Sequence, residues 1–346
     1  MENGTRPHIL VLPPPALYRK LFTPQSDARL RELGTIIYNG DDGDLTPGEL
    51  AERIGPADIC VTGWRSPKFS DEVLAHATRL KLVAHSAGSI KFMFPGDADA
   101  ALSRGFTVTT AAAAMGASVA EMCLMMTLML LRPIHQLDAG MKGKGEWGSD
   151  WATLKARGSG EELAAQRVGV IGAGHTGRHF IRLLRAMSVE TWVFDPYLTE
   201  ARAAQMDVER VTSLDALLGA CRVIALHAPS TPQTYRMIGR REFALMKDGA
   251  ILINTARSSL VDPEPMLAEL RTGRISAALD VFDEEPLPLD SPLRTLPNVL
   301  ITPHVASHTV NTHFRQGEVT VDEVQRFVKG EPLKYAVTAE MLATMA

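Results

Sequence analysis

Five polar residues in the C-terminal half of this 346-residue chain, His227, Arg257, Asp280, Glu285 and His304, lie at or just after the ends of short apolar runs. Those runs, Arg222–Leu226, Gly249–Asn254, Ile275–Leu279 and Val299–Ile301, read as strands. In an open α/β sheet, strand C-termini line one crevice, so these side chains are expected to converge. An arginine there can grip a carboxylate bidentately and polarise a neighbouring carbonyl. A histidine can give or take an alcohol proton near neutral pH. A glutamate can orient the imidazole and favour its protonated form. The set suits hydride transfer to a carbonyl. Glu285 belongs to an acidic run, Asp283-Glu284-Glu285, and such runs are usually solvated; its place five residues after Asp280 and just before Pro286 singles it out. His308 and His313 follow His304 at spacings of four and five, without a supporting acid or cysteine cluster, so no metal site is expected.

A hydride needs a carrier. The run Arg167–Gly177 reads R-V-G-V-I-G-A-G-H-T-G. Val168–Ile171 is a short apolar strand, Gly172, Gly174 and Gly177 form a G-x-G-x-x-G turn, and a helix is expected over His175–Met187. The first glycine permits the turn, the second lets backbone approach a pyrophosphate, and the third lets helix and strand pack closely. The diphosphate then rests on free N–H groups at the helix N-terminus. A second strand, Thr191–Phe194, ends at Asp195, eighteen residues past the last glycine and suited to an adenosine ribose. A carboxylate without an adjacent arginine favours NAD over NADP, because it repels a 2′-phosphate.

The elements that must position these residues are repeated βα units. In the first third, strands are expected at Ile9–Leu12, Thr35–Tyr38, Asp58–Thr62, Lys81–Ala84 and Phe106–Thr109. Helices are expected at Ala16–Leu33, Pro47–Ile54 and Ser70–Ala77. The small-residue loop His85-Ser86-Ala87-Gly88-Ser89 leaves the fourth strand, where ligands tend to sit. A Met-rich helix, Ala117–Leu131, carries the chain into a second set of units; its methionines read as core or subunit-interface filler. Gly140–Gly160, glycine-rich with Trp147 and Trp151, reads as a surface excursion, and an amphipathic helix over Asn311–Lys329 folds back on the first domain. The expected class is α/β, with two doubly wound parallel-sheet domains. Residues 1–116 and 306–346 would form one, and 117–305 the other.

Composition bounds the rest. The chain is 45% hydrophobic and 22% charged with a net charge of −4, which gives no basic footprint for nucleic acid. Cys60, Cys123 and Cys221 are scattered, without a disulfide framework, as suits a reducing cytoplasm. No signal peptide is read at the N-terminus, and the fifteen-residue apolar run containing Glu121 reads as a buried helix rather than a membrane span.

The chain resembles the D-isomer-specific 2-hydroxyacid dehydrogenases along nearly its whole length. V-G-V-I-G-A-G-H-T-G, V-F-D-P, H-A-P-S-T-P-Q-T, G-A-I-L-I-N-T-A-R, A-A-L-D-V-F-D-E-E-P-L and N-V-L-I-T-P-H carry the resemblance, in that order. It implies a Rossmann NAD-binding domain inserted in a flavodoxin-like substrate domain. It also implies that Arg257 binds the carboxylate and carbonyl of a 2-oxo acid, with His304 as acid/base and Glu285 as its partner. Asp280 would contact the nicotinamide carboxamide, and His175 and Thr176 would offer N–H groups to the pyrophosphate. His227, Ala228, Pro229, Thr234, Thr255 and Ala256 would line the nicotinamide half. Homodimerisation is expected from the family.

Departures fall on the substrate side. Where family members commonly carry a G-x-G-x-D-like loop, this chain has A-H-S-A-G-S-I-K, and Thr110 and four alanines replace a frequent Asn-x-Pro. Ala87, Gly88 and Ser89 remain the expected substrate loop, and Trp64 and Arg65 are candidate pocket wall. A small 2-oxo acid such as glyoxylate or hydroxypyruvate is the expected substrate. Glu285 speaks against a formate dehydrogenase, which usually has glutamine beside the histidine. A compact phosphoglycerate dehydrogenase and a corepressor-type NAD(H) sensor are the alternatives.

Overall fold

The computed structural model describes residues 6–40, 43–94, 103–144, 160–338 and 341–342. Trp147 and Trp151 lie outside them. The chain divides into two compact units, residues 1–115 with 308–346, and residues 116–307.

The first unit is built on a parallel sheet of β1 (His8–Val11), β2 (Thr35–Tyr38), β3 (Ile59–Thr62), β4 (Leu82–His85) and β5 (Thr107–Thr110), in the order β2-β1-β3-β4-β5. That is the flavodoxin-like arrangement. Alternate residues serve opposite faces. Leu10, Cys60, Val83 and Val108 pack on one side with Leu50, Ile54 and Phe69. Ile9, Val61, Leu82 and Ala84 pack on the other with Leu21, Val321 and Val324. Burial on both faces is why these strands read as nearly unbroken apolar runs.

One expected helix, Ala16–Leu33, is in fact two, Pro15–Leu21 and Pro24–Leu33. Pro24 has no N–H to donate and pushes Thr23 into an extended conformation, with φ −70° and ψ 161°. The Thr23 hydroxyl then caps the second helix by accepting from the Ser26 N–H. Gly140, where the expected surface excursion begins, continues a helix, Ile134–Lys144, whose Met141, Lys142 and Gly143 are exposed, and residues 145–159 lie outside the described residues. His85 likewise closes β4 as a buried residue instead of opening the loop.

The second unit holds β6 (Arg167–Ile171), β7 (Glu190–Phe194), β8 (Glu209–Val211), β9 (Val223–Leu226), β10 (Ile251–Asn254), β11 (Ser276–Leu279) and β12 (Val299–Ile301). All pair in parallel, in the order β12-β11-β10-β9-β6-β7-β8. Strand order reverses between β6 and β9, the switch point at which doubly wound sheets bind dinucleotides. The Met-rich helix spans Gly116–Leu131. With the preceding turn, the stretch Ala112–Leu131 is long and apolar enough to cross a membrane, yet Ala120, Cys123, Met126 and Leu131 are buried in the core of this unit beside Val168, Val170 and Phe180. Full burial of a side chain such as Met126 or Leu131 stabilises the fold by about 1.5–3 kcal/mol.

Candidate active site

The glycine turn sits at the switch point. Gly172 has φ +98°, a left-handed backbone that other residues rarely adopt, and a Cβ there would stand 2.7 Å from the Ala228 nitrogen and from the His227 carbonyl carbon. The turns leaving β6 and β9 therefore touch through bare backbone. Gly177 is pressed against the Gly172 carbonyl oxygen, so that helix and strand also meet without side chains. Gly174 differs, because a Cβ on it would meet nothing. It precedes the helix His175–Ala186, which no side chain caps. The Arg178 N–H bonds the Gly174 carbonyl at 3.1 Å, and the N–H groups of His175, Thr176 and Gly177 precede the first intrahelical bond. Open space before uncapped amides fits a pyrophosphate. Burial and the nearby Arg178 keep the His175 imidazole below its usual basicity.

Asp195 closes β7 and is half-buried. One carboxylate oxygen accepts the Ala173 N–H at 2.6 Å and the other the Tyr197 N–H at 2.8 Å. The side chain thus ties the glycine turn to the end of β7 and keeps lone pairs for ribose hydroxyls. His227 packs its ring 5.3 Å from Phe180, with Nε2 3.9 Å from the Cys123 sulfur and Nδ1 buried without a partner. Burial lowers its pKa to about 4, so it stays neutral at physiological pH. Ala228 is buried and Pro229 exposed; the Thr234 hydroxyl donates to the Pro229 carbonyl at 2.6 Å and accepts the Thr231 N–H at 2.8 Å, which folds this loop.

The other polar residues gather at the ends of β10, β11 and β12. The His304 Nδ1 lies 2.8 Å from Glu285 Oε2, and Glu285 Oε1 accepts the Phe282 N–H at 3.0 Å. Burial opposes ionisation of Glu285, but the bonds from His304 and Phe282 and the charges of His304 and Arg257 outweigh it and hold the carboxyl below its ordinary range. Arg257 is half-buried, and burial lowers its basicity against the pull of Glu285. A guanidinium nevertheless keeps its proton. Its Nη1 donates to the Ala256 carbonyl at 2.6 Å, and its other donors have no partner among the described residues. The Thr255 hydroxyl is buried and unpartnered as well. Phe282, Glu285, Pro286, Leu287, Ile301 and His304 help to line a cleft of about 590 Å³.

Asp280 has a role that sequence reading did not find. It is 1% exposed. Its Oδ1 accepts from the Thr302 hydroxyl at 2.6 Å and the Val305 N–H at 2.8 Å, and its Oδ2 accepts the Ala306 N–H at 2.9 Å. These bonds clamp the turn that carries His304, whose φ is +54°. Asn254 was missed too: its side chain bonds the Arg257 carbonyl at 2.8 Å and the Ala256 N–H at 3.1 Å, shaping the loop that presents Arg257. A polar residue closing an otherwise apolar strand was the available signal.

Ala87, Gly88 and Ser89 belong to the first unit, just past β4. The Ala87 carbonyl accepts the Ala111 N–H at 3.0 Å. A Cβ on Gly88 would stand 2.7 Å from the Met115 methyl carbon, the tip of a flexible side chain that can swing aside. The N–H groups of Gly88 and Ser89 have no acceptor among the described residues.

Comparison with known proteins bears on the whole chain. Residues 124–306 match the family described as "D-isomer specific 2-hydroxyacid dehydrogenase, NAD binding domain". The chain is 35% identical over 304 residues to a D-3-phosphoglycerate dehydrogenase of Methanocaldococcus jannaschii, a match covering 87% of this chain and 55% of that one. It thus spans about half the length of the curated phosphoglycerate dehydrogenases it matches. With a glyoxylate reductase of Thermofilum pendens it shares 31% identity over 317 residues, 89% of either chain. Among solved structures, the TT0316 protein from Thermus thermophilus superposes with a TM-score of 0.77 at 29% identity, covering 96% of this chain and 100% of that one.

Proposed function

Because this chain belongs to the D-isomer specific 2-hydroxyacid dehydrogenases, we propose that it interconverts a small 2-oxo acid and the corresponding D-2-hydroxy acid with NAD. The observation that carries this reading is the 2.8 Å contact between His304 and Glu285, in a site that also holds a half-buried arginine with free donors. When bound, the nicotinamide supplies or accepts the hydride. Everything else falls to the chain. Arg257 grips the substrate carboxylate and polarises the carbonyl beside it. Glu285 accepts from Nδ1–H of His304 and so fixes the tautomer, leaving Nε2 to give the alcohol proton on reduction or take it on oxidation. His175 and Thr176 offer backbone N–H groups to the pyrophosphate, and Asp195 selects NAD over NADP by repelling a 2′-phosphate. The N–H groups of Gly88 and Ser89 contribute to substrate binding.

The test is a panel of 2-oxo acids, glyoxylate and hydroxypyruvate included, assayed with NADH and with NADPH. Arg257→Ala and His304→Ala should each abolish turnover while NADH titrates almost normally. Substantial activity in both variants would refute the assignment. The likeness to phosphoglycerate dehydrogenases supports a second reading, a compact enzyme acting on a phosphorylated acid. An NADH-binding chain that turns over none of the panel would instead act as a sensor of the corepressor type.

Self-association forms part of the same proposal. Met125 and Ile134 are exposed, and with Leu124, Leu128 and Leu183 they border an apolar hollow of about 430 Å³ suited to a second copy. Light scattering should give the mass of a dimer, and Met125→Glu should return a monomer.

A further inference from the structure

Two serines that the proposed mechanism does not use face each other at the C-terminal end of the seven-stranded sheet. Ser230 follows β9 and Ser259 follows β10, each half-buried, with their hydroxyl oxygens 2.7 Å apart. Among the described residues neither side chain bonds anything else. The pair is the first rung of a longer join. The Arg236 N–H donates to the Ser259 carbonyl at 2.7 Å, the Ile238 N–H to the Leu260 carbonyl at 3.1 Å, and the Asp262 N–H to the Ile238 carbonyl at 2.9 Å. The loop leaving β9 is thus zipped to the loop leaving β10, and the second of these presents Arg257.

The two loops differ in how they are held. The β9 loop carries its own bonds: the Thr231 N–H donates to the Thr234 hydroxyl, the Thr234 N–H to the Thr231 hydroxyl at 3.2 Å, and the Thr234 hydroxyl to the Pro229 carbonyl. The β10 loop is tied to its own strand at one end only, through the Asn254 side chain. Past Arg257 it makes one short turn, Ser258–Leu260, and then leans on the β9 loop. A three-residue turn of this kind has poor hydrogen-bond geometry and little stability of its own. The β9 loop is therefore the fixed post, and the arginine's loop is the part that would swing. Across the join, Ser230–Ser259 is the side-chain contact nearest to Arg257 along the chain.

We propose that Ser230 and Ser259 are positioning residues, whose mutual hydrogen bond sets where the Arg257 guanidinium stands for the substrate carboxylate. This rests on reading Arg257 as the carboxylate-binding residue of a 2-oxo acid reductase. Neither serine need touch the substrate; each acts through the arginine. If the loop spends part of its time elsewhere, only the competent fraction binds, which raises the apparent dissociation constant without slowing the bound complex.

The full chain is assayed with its best 2-oxo acid and NADH, as wild type, Ser230→Ala, Ser259→Ala and the double variant. Each single variant should raise KM for the acid by about twofold to tenfold, the range of one uncharged hydrogen bond, with kcat nearly unchanged. The double variant should be no worse than either single one, because both changes remove the same bond. NADH titration should give the wild-type affinity, since the β9 loop keeps its own bonds. Hydrogen exchange, followed with NADH present and no acid, should quicken at Leu260 and Val261, whose N–H groups bond the Arg257 and Ser258 carbonyls and close the turn. An unchanged KM in both single variants, or effects that multiply in the double variant, overturns the proposal. A lowered Tm with wild-type KM overturns it equally, leaving the pair a packing contact. If the wild type reduces no 2-oxo acid, the enzymatic reading is what fails, and exchange alone then decides the pair's role. Unchanged exchange at Leu260 and Val261 removes that role; quickened exchange keeps the pair as what holds the arginine's loop.

Discussion

Asp280→Asn separates two roles for one buried carboxylate. If Asp280 chiefly clamps the turn at His304, the variant keeps an acceptor at one position, but its amide turns a donor toward a backbone N–H at the other. Three bonds of 2.6–2.9 Å are at stake. Hydrogen bonds to a charged group contribute about 1.5–3 kcal/mol each. Relief of a buried charge offsets part of that, so a net loss of about 1–3 kcal/mol is expected. In a unit of this size that lowers Tm by about 3–10 °C. The turn carries a non-glycine residue at φ +54°, a conformation that persists only while its surroundings impose it. Released, His304 should stray from Glu285, and kcat should fall by about tenfold to a hundredfold, each tenfold being about 1.4 kcal/mol of barrier. NADH affinity should hardly move. The assay pairs steady-state kinetics on the best 2-oxo acid with NADH fluorescence titration and thermal melting. Weakened NADH binding with normal kcat and Tm would refute the clamp and assign the carboxylate to the nicotinamide.

Other expectations follow from the same geometry. Glu285→Gln removes a carboxylate whose folded pKa is depressed, so its stabilisation is complete above the ordinary carboxyl range and disappears as pH falls through the folded value. Melting curves of wild type and variant should therefore converge in acid. The pair is exposed, so the stability difference at neutral pH should stay within about 1 kcal/mol. Gly174→Ala should melt like the wild type yet bind NADH about tenfold or more weakly, roughly 1.4 kcal/mol, because its methyl enters the space left for the pyrophosphate. Gly177→Ala should fail earlier, with a large drop in Tm or no soluble protein, since its methyl collides with the Gly172 carbonyl. Asp195→Ser should raise the ratio of NADPH to NADH use in kcat/KM and also loosen the glycine turn, seen as faster amide exchange at Ala173.

Much of the scaffold was legible because the strands are short apolar runs closed by glycine, proline or a polar residue, and burial on both faces makes such runs conspicuous. The switch point followed from the glycine turn. The break at Pro24 escaped because the residues on either side continue a helical pattern. Only a local rule about the residue before proline sets Thr23 extended, and its hydroxyl then starts a new helix. At Gly140 the glycine-rich run carried no signal for a helix, although its first residues continue the helix Ile134–Lys144.

Within the site, spacing along the chain found the polar residues but could not divide them between holding the fold and meeting a ligand. Hydrogen-bond capacity makes that division. Asp195, Thr234, Asn254 and Asp280 all end or follow strands, and each commits side-chain atoms to neighbouring backbone. What remains uncommitted in the second unit includes the donors of Arg257, Nε2 of His304, Nδ1 of His227, the Thr255 hydroxyl, and the amides of His175 and Thr176. An unsatisfied polar group in a folded interior is costly unless a partner arrives, so this residue set is where a ligand gains most. The donors in it outnumber the acceptors, which suits a nucleotide diphosphate and a 2-oxo acid carboxylate, both anions, better than any cationic ligand. Asp280 falls on the scaffold side, with one acceptor position left over.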